Sequence, residues 1–194
     1  AFQDAGHMQW AQAIQDDIVD ATRWAIAQGH ADKDRVCIYG GSFGGYSSLM
    51  APIRAPGMFK CAFGYVGVYD IAMMFDKGDI PRTESGQRYL RRTHGSDTAV
   101  WAENSPALRA SEVKIPVYLA AGARDERTPP EQTRSMNKAL VQAGNAPEGM
   151  IIQSGEMHGF YDEKNREHLY SEMLEFFARH IGYNVTVDEP SKAD

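Results

Sequence analysis

The sequence has little cysteine and no long apolar run. Only two of its 194 residues are cysteine, Cys37 and Cys61, which excludes the disulfide-dense framework of small secreted domains. Each lies in a short apolar run, so we predict that both are buried free thiols. Hydrophobic residues make up 43% of the chain and charged residues 24%, a balance typical of a globular domain and unlike a disordered, collagen-like or membrane-spanning chain.

The charge pattern argues against a nucleic-acid partner. The chain has 20 basic and 26 acidic residues, a net charge of −6, and its Lys and Arg residues are interspersed with acidic ones. Residues 1–4 contain no basic segment, no apolar signal core and no initiator Met. We therefore expect neither a nucleic-acid nor a membrane partner, and we expect the chain to be part of a larger protein. Its compartment stays open between cytoplasm and periplasm.

Helical and strand patterns alternate along the chain. Apolar residues recur every three or four positions in the longer segments, which predicts helices, and shorter apolar runs predict buried strands. Four alternations predict an α/β fold with an open, mostly parallel, doubly wound sheet. The predicted helices cover 10–28, 44–55, 130–144 and 163–181, and the predicted strands cover 35–39, 61–66, 117–121 and 150–153.

Two segments depart from this alternation. Between 70 and 112, charged clusters interrupt short apolar pieces, so we predict an excursion of short helices lying over the sheet. Residues 184–194 are polar and contain Pro190, which predicts a frayed tail. The predicted domain therefore covers 1–183.

A glycine-rich turn follows the first predicted strand directly. Residues 40–44 read Gly-Gly-Ser-Phe-Gly and match Gly-x-Ser-x-Gly between a strand and a helix, the setting of a nucleophile elbow. An elbow holds its serine in strained backbone geometry, so we predict that Ser42 projects its hydroxyl above the sheet. Gly40 and Gly44 are expected to avoid a collision between strand and helix. The backbone N–H of Phe43 is the predicted oxyanion donor.

A serine nucleophile needs a base and an acid that orients the base. Of the six histidines, His158 lies between the last predicted strand and helix, where its imidazole can reach the carboxyl edge of the sheet. We predict it to be the base and expect the other five at the surface. Asp125 follows the preceding strand and completes the order Ser, Asp, His of an α/β-hydrolase. Asp70, which also follows a strand, remains the rival acid.

Patterns typical of metal and phosphate sites are absent from the sequence. Glu156 and His158 lack a second histidine at ligand spacing, and no Gly-x-x-x-x-Gly-Lys loop occurs. We therefore expect neither a metal nor a cofactor.

Four segments together carry a resemblance to a known family. They are 15–17, 34–46, 122–129 and 156–160. In this order they resemble the catalytic domain of prolyl oligopeptidase family serine peptidases, in particular its acylaminoacyl peptidase and dipeptidyl aminopeptidase branches. The resemblance implies an α/β-hydrolase fold with Ser42 as nucleophile, Asp125 as acid and His158 as base.

The same resemblance implies parts that this sequence does not contain. Family members carry a β-propeller before the hydrolase domain, and their sheet has further strands that bring the second oxyanion donor. We therefore expect only the C-terminal half of the hydrolase domain here. An incomplete sheet leads us to expect self-association or pairing with the missing N-terminal part.

The predicted reaction is hydrolysis of short peptides through an acyl-enzyme intermediate. A carboxylesterase of the same fold and a catalytically silent fragment of a larger peptidase are the alternatives. Val68 and Tyr69 are candidate walls of the substrate pocket together with Phe43, although Tyr69 and Phe43 suit the core equally well. Arg127 is expected either to bind a substrate carboxylate or to pair with the neighbouring Glu126 or Glu131.

Overall fold

A parallel sheet of four strands lies at the centre of the computed structural model, which describes residues 2–182. The strand order is β1-β2-β3-β4, and each neighbouring pair is parallel. Parallel neighbours need crossover connections, which here are helical, as the α/β prediction requires. The predicted tail at 184–194 lies outside the described residues. The strands are β1 (Cys37–Gly41), β2 (Cys61–Tyr65), β3 (Val117–Gly122) and β4 (Gly149–Gln153).

Long helices join the strands, and the predicted excursion of short helices lies between β2 and β3. Two 3₁₀ segments, Ile80–Arg82 and Pro106–Glu112, also belong to that excursion. The α-helices are α1 (Phe2–Ala5), α2 (Ala13–Ala27), α3 (Phe43–Arg54), α4 (Ile71–Asp76), α5 (Glu84–His94), α6 (Thr98–Glu103), α7 (Pro130–Gln142) and α8 (Glu163–Ile181).

Helices cover both faces of the sheet. On one face, Leu119 packs with Leu49 of α3 and with residues of α7. On the other face, the Phe63 ring stacks on the Tyr118 ring with centroids 4.9 Å apart, and both contact Phe176 of α8. Tyr118 and Leu119 are consecutive in β3, and consecutive strand residues point to opposite faces. The doubly wound prediction is therefore confirmed.

The first strand lies two positions further along the chain than predicted. It pairs residue by residue with β2 from Cys37 to Gly41, so the ladder continues into the glycine-rich turn. Arg35 stands outside the ladder, and its guanidinium donates to the carbonyls of Ile181 (2.6 Å) and Gly182 (3.3 Å) at the end of α8. The polar end of the predicted run is therefore used for tertiary contact.

Cys37 and Cys61 form a disulfide, so the prediction of free thiols is wrong. The two residues are direct partners in the register of β1 and β2. Their Cα atoms are 4.7 Å apart, within the range that a disulfide spans. Nothing in the local sequence indicates this pairing, because it depends on which residues face each other across two strands.

His94 is buried, which contradicts the expected surface position of the histidines outside the site. It is 2% exposed, and its ring centroid lies 4.4 Å from that of Trp10. Burial lowers the pKa of His94 to about 4, so this imidazole is neutral near neutral pH. His94 is the last residue of α5 and lies on the helix face that packs against the core. Its neighbours in the sequence are rich in charge, so the sequence does not indicate that this histidine is buried.

Candidate active site

Ser42 stands between β1 and α3 in a strained backbone conformation, with φ of 57° and ψ of −117°. Its N–H donates to the Tyr65 carbonyl (2.9 Å), and its carbonyl accepts from the Tyr46 N–H (3.1 Å) at the start of α3. Ser42 is the N-cap residue of this helix, yet its side chain makes no capping hydrogen bond. The hydroxyl is therefore left for a partner outside the helix, as expected of an elbow serine.

Two glycines allow strand and helix to approach each other at this turn. A Cβ on Gly40 would lie 2.3 Å from the carbonyl carbon of Gly44, and one on Gly45 would lie 2.7 Å from the Tyr65 carbonyl oxygen. A Cβ on Gly44 would meet nothing within 4 Å. The close approach of strand and helix therefore requires glycine at position 40, as predicted. The second glycine that it requires is Gly45, whereas the sequence analysis named Gly44.

Ser42, His158 and Asp125 form one chain of hydrogen bonds. His158 Nε2 lies 2.9 Å from Ser42 Oγ, and His158 Nδ1 lies 2.9 Å from Asp125 Oδ2. The Asp125 side chain is fully buried, whereas the His158 side chain is 30% exposed. The imidazole can therefore exchange a proton with a bound molecule while the carboxylate stays shielded from water. The structure thus brings together the three residues that the sequence analysis singled out.

The Asp125 carboxylate is fixed by the loop that follows β3. Its Oδ1 accepts from the backbone N–H groups of Arg127 and Thr128, each at 2.9 Å. The Thr128 hydroxyl lies 2.9 Å from Asp125 Oδ2 and 3.2 Å from His158 Nδ1. Sequence analysis missed Thr128, since only the folded loop turns this side chain back onto the carboxylate. With both oxygens engaged, the acid is held in one orientation towards the imidazole.

Asp70, the rival acid, has a different position and a different task. It is the N-cap residue of α4, where its carboxylate accepts from the Met73 N–H at 3.4 Å. The amide of Gln132 holds the Asp70 backbone, accepting from its N–H and donating to its carbonyl. The acid that reaches His158 is Asp125.

Phe43 is the first residue of α3. An N–H in the first turn of a helix has no acceptor within the helix and lies at the positive end of the helix dipole. The predicted oxyanion donor is thus adjacent to Ser42 and available to negative charge on a bound oxygen. The Phe43 ring packs edge-on against the Trp10 ring, with centroids 4.7 Å apart.

A cleft of about 930 Å³ opens beside Ser42 and His158. Its walls combine the elbow, the excursion between β2 and β3, and the segment before α2. Val68, a predicted pocket residue, is among the lining residues, as is Arg127. The apolar lining consists of Trp10, Ile14, Phe43, Val68, Met74 and Ile80.

Tyr69 is fully buried in the core and is absent from the described lining of the cleft, so its prediction as a pocket residue is wrong. A Cβ on Gly64 would lie 2.3 Å from the Tyr69 phenolic oxygen, and one on Gly67 would lie 2.5 Å from it. The two glycines therefore leave the space that the Tyr69 ring occupies beside β2. The Tyr69 ring reaches this space because the chain turns back on itself after β2.

Arg127 is engaged in an ion pair with Asp79, a partner that the sequence analysis did not consider. The guanidinium Nε lies 2.9 Å from Asp79 Oδ1, and Nη2 lies 2.8 Å from Oδ2. Glu126, one of the expected partners, instead pairs with Arg82 at 2.8 Å. Pairing is therefore the observed state of Arg127, and it links the loop of Asp125 to the excursion.

Glu156 holds the loop that carries His158, a role absent from the sequence analysis. It is 4% exposed, and its carboxylate accepts from the N–H groups of Tyr161 (2.7 Å) and Asp162 (3.0 Å) and from the Asn165 amide (2.7 Å). Desolvation opposes ionisation, but these hydrogen bonds outweigh it and lower the pKa of Glu156 below its usual 4.5. The loop therefore closes around an ionised carboxylate.

Neither a metal cluster nor a membrane-spanning helix occurs in the described part of the chain. Between residues 2 and 182, no three or more His, Cys, Asp or Glu side chains are grouped to hold a metal ion. Within the same range, every helix is too short or too polar to cross a bilayer.

A parallel sheet covered on both faces, with a serine elbow after β1, an aspartate after β3 and a histidine after β4, is the arrangement of the α/β-hydrolase class. Comparison with known families narrows this class. The model of the prolyl oligopeptidase family matches residues 1–184, so the chain belongs to that family.

Individual relatives agree with this family. Dipeptidyl aminopeptidase BIII of Pseudoxanthomonas mexicana is 32% identical over 93% of this chain and 27% of its own length. Acylamino-acid-releasing enzyme of Sus scrofa is 27% identical over 86% of this chain and 23% of its own. A puromycin-hydrolyzing peptidase of Mycobacterium tuberculosis has a structure 26% identical in sequence, with a TM-score of 0.86 over 98% of this chain and 28% of its own. The chain thus spans about a quarter of the length of these relatives.

Substituting Glu156 by Gln should destabilise the protein by about 2 kcal/mol near neutral pH, because an amide nitrogen would face donors that now bind a carboxylate oxygen. The pKa of Glu156 is lowered by folding, so its stabilisation is present above about pH 4.5 and is lost as pH falls through the folded pKa. The gap in melting temperature between the wild type and Glu156→Gln should therefore narrow in acid.

Thermal unfolding followed by circular dichroism across this pH range measures the gap. Glu167→Gln, on the exposed face of α8, is the matched control and should leave the melting temperature unchanged. A gap that stays constant down to about pH 3 would show that the charge of Glu156 contributes nothing.

Proposed function

We propose that this chain is the catalytic segment of a serine peptidase that hydrolyses short peptides through an acyl-enzyme intermediate. The proposal rests on one observation above all. The Ser42 hydroxyl, released from helix capping, contacts an imidazole whose other nitrogen contacts a buried carboxylate. This is the geometry that turns a weakly nucleophilic hydroxyl into an attacking group.

In the proposed first step, Ser42 Oγ attacks the carbonyl carbon of the substrate while His158 Nε2 takes the hydroxyl proton. Asp125 keeps the second imidazole proton on Nδ1 and stabilises the imidazolium. His158 then gives its proton to the leaving amine as the C–N bond breaks, which leaves an ester of Ser42. Water attacks this ester with His158 again as base, and the carboxylic acid product departs as the proton returns to Ser42.

The negative charge of the tetrahedral intermediate needs hydrogen-bond donors close to the attacked carbon. The Phe43 N–H, directly after Ser42 at the start of α3, is the donor that we propose from this chain. A donor of this kind contributes about 3–4 kcal/mol to the transition state. Its effect is enhanced by the positive end of the α3 dipole.

The names of the relatives and the lining of the cleft support a peptide substrate. The relatives include a dipeptidyl aminopeptidase, an acylamino-acid-releasing enzyme and a puromycin-hydrolyzing peptidase. We propose by analogy that this chain contributes to cleavage near the amino terminus of short peptides. The cleft is largely apolar, and Arg127 is neutralised by Asp79, so the acyl-side residue in the cleft should be apolar.

Substitution of Ser42 by Ala should abolish covalent labelling by a fluorophosphonate, because the Ser42 hydroxyl is the elbow group that contacts His158 Nε2, the nitrogen facing the cleft. Ser47 and Ser48, on the next turn of α3, are matched controls. The Ser47 hydroxyl accepts from Gln15 (3.2 Å), and the Ser48 hydroxyl donates to the Gly45 carbonyl (2.8 Å). Their alanine variants should label like the wild type in a gel assay with a fluorescent probe.

Retention of label by Ser42→Ala would exclude Ser42 as the nucleophile. A wild-type chain that is folded by circular dichroism and takes up no label would favour the silent fragment over the peptidase. Faster hydrolysis of an ester than of the matching peptide by about a thousandfold or more, beyond their intrinsic reactivities, would favour a carboxylesterase.

Substitution of Asp125 by Asn should lower turnover by a factor on the order of 10⁴, because an amide facing Nδ1 favours the unusable imidazole tautomer. Asp70→Asn is the control, since Asn caps a helix about as well as Asp does. Steady-state hydrolysis of a chromogenic ester measures both effects. A larger loss in Asp70→Asn than in Asp125→Asn would remove Asp125 from the assigned role.

We propose further that the free edge of β1 pairs with an additional strand. Within residues 2–182, β1 has a neighbour on one side only, and its residue Tyr39 is 42% exposed. An edge strand with free N–H and C=O groups is a template for another strand. The isolated chain should therefore self-associate, and size-exclusion chromatography with light scattering should give a mass above 21.5 kDa. A monodisperse monomer would contradict this.

A further inference from the structure

Tyr65, the last residue of β2, contacts both segments that carry the catalytic pair. Its backbone carbonyl accepts from the Ser42 N–H at 2.9 Å. Its phenolic oxygen accepts from the Phe160 N–H at 2.6 Å. Phe160 follows His158 by two residues, so a single tyrosine is bonded to the elbow by its main chain and to the His158 loop by its side chain.

The Tyr65 ring is held firmly between these segments. It packs edge-on against the Phe160 ring with centroids 5.3 Å apart. A Cβ on Gly41 would come within 3.3 Å of the Tyr65 ring, so the ring lies against the backbone next to Ser42. Burial raises the pKa of Tyr65 to about 12, which keeps the phenol neutral at any pH at which the enzyme would work.

The backbone next to His158 has little stiffness of its own. Gly159 has a φ of 147°, a conformation that glycine adopts without the steric penalty of a side chain and leaves as readily. Glu156 anchors the loop through Tyr161, Asp162 and Asn165. The hydrogen bond from the Phe160 N–H to the Tyr65 hydroxyl connects this loop to the residue whose carbonyl binds the Ser42 N–H.

From this geometry we infer that Tyr65 is a positioning residue that sets the distance between Ser42 Oγ and His158 Nε2. The inference rests on the proposed function, in which a proton passes across that distance. Tyr65 is absent from the described lining of the cleft, so its effect should fall on the chemical step and leave substrate binding unchanged. A displacement of about 1 Å between reacting groups can cost a factor of about 10² in rate, and we expect about a tenfold loss from one hydrogen bond.

The substitution Tyr65→Phe tests this inference, because it removes the phenolic oxygen and keeps the ring. The rate constant for fluorophosphonate labelling should fall about tenfold while the final stoichiometry of label stays at the wild-type value. With an ester substrate, kcat should fall and KM should not change. A purely structural loss would instead lower the fraction of protein that labels.

Amide hydrogen exchange supplies a readout that does not require activity. In Tyr65→Phe the Phe160 amide should exchange faster, whereas the Ser42 amide should not, since its acceptor is a backbone carbonyl. Tyr39→Phe is the matched control: it removes a phenol from the adjacent strand, β1, at a residue that is 42% exposed. It should label and exchange like the wild type.

The outcomes separate this inference from the proposed function. If the wild type takes up no label, the proposed function fails, and faster Phe160 exchange alone would not rescue the positioning role. If the wild type labels and Tyr65→Phe labels equally fast, the positioning role is wrong and the proposed function stands. Should Tyr65→Phe fail to fold, 4-fluorophenylalanine at position 65 fills the space of the hydroxyl with a fluorine that accepts hydrogen bonds only weakly. It should then label at an intermediate rate, and a wild-type rate would overturn the inference.

Discussion

Ser42 adopts a φ of 57°, a conformation that costs about 1–3 kcal/mol for a residue with a Cβ. The β1–β2 ladder sustains it. Pairing continues to Gly41, and the Ser42 N–H then binds the Tyr65 carbonyl while the Ser42 carbonyl starts α3. The Ser42 side chain makes no capping hydrogen bond to α3, so its hydroxyl is available to His158. The other residues of the candidate site are arranged around this Ser42 hydroxyl.

The parallel topology brings the other two side chains to that hydroxyl. In a parallel sheet all carboxyl ends lie at one edge, so the loops after β3 and β4 meet above β1 and β2. The loop after β3 buries Asp125 under its own N–H groups. The loop after β4 closes around Glu156 and leaves His158 partly exposed. This difference in burial suits the roles proposed for Asp125 as the acid and His158 as the base.

The cleft is formed by segments that are distant in sequence. Val68 follows β2 directly, Met74 belongs to the excursion, and Trp10 comes from the segment before α2. The Arg127–Asp79 ion pair fastens the excursion to the loop of Asp125, so one wall of the cleft is tied to the acid. A shift of the excursion can therefore move the Asp125 carboxylate, because Arg127 pairs with Asp79 through its side chain and binds that carboxylate through its backbone N–H.

The sequence by itself determined the α/β alternation, the elbow at Ser42 and the chain order in which Asp125 and His158 follow it. These features depend on hydrophobic period and on glycine at a tight turn, which are local properties. Only the tertiary structure decided that Cys37 faces Cys61, that Tyr69 turns into the core and that Asp79 is the partner of Arg127. Strand register, the space left by absent side chains and the meeting of remote loops decide such contacts, and no short stretch of sequence contains them.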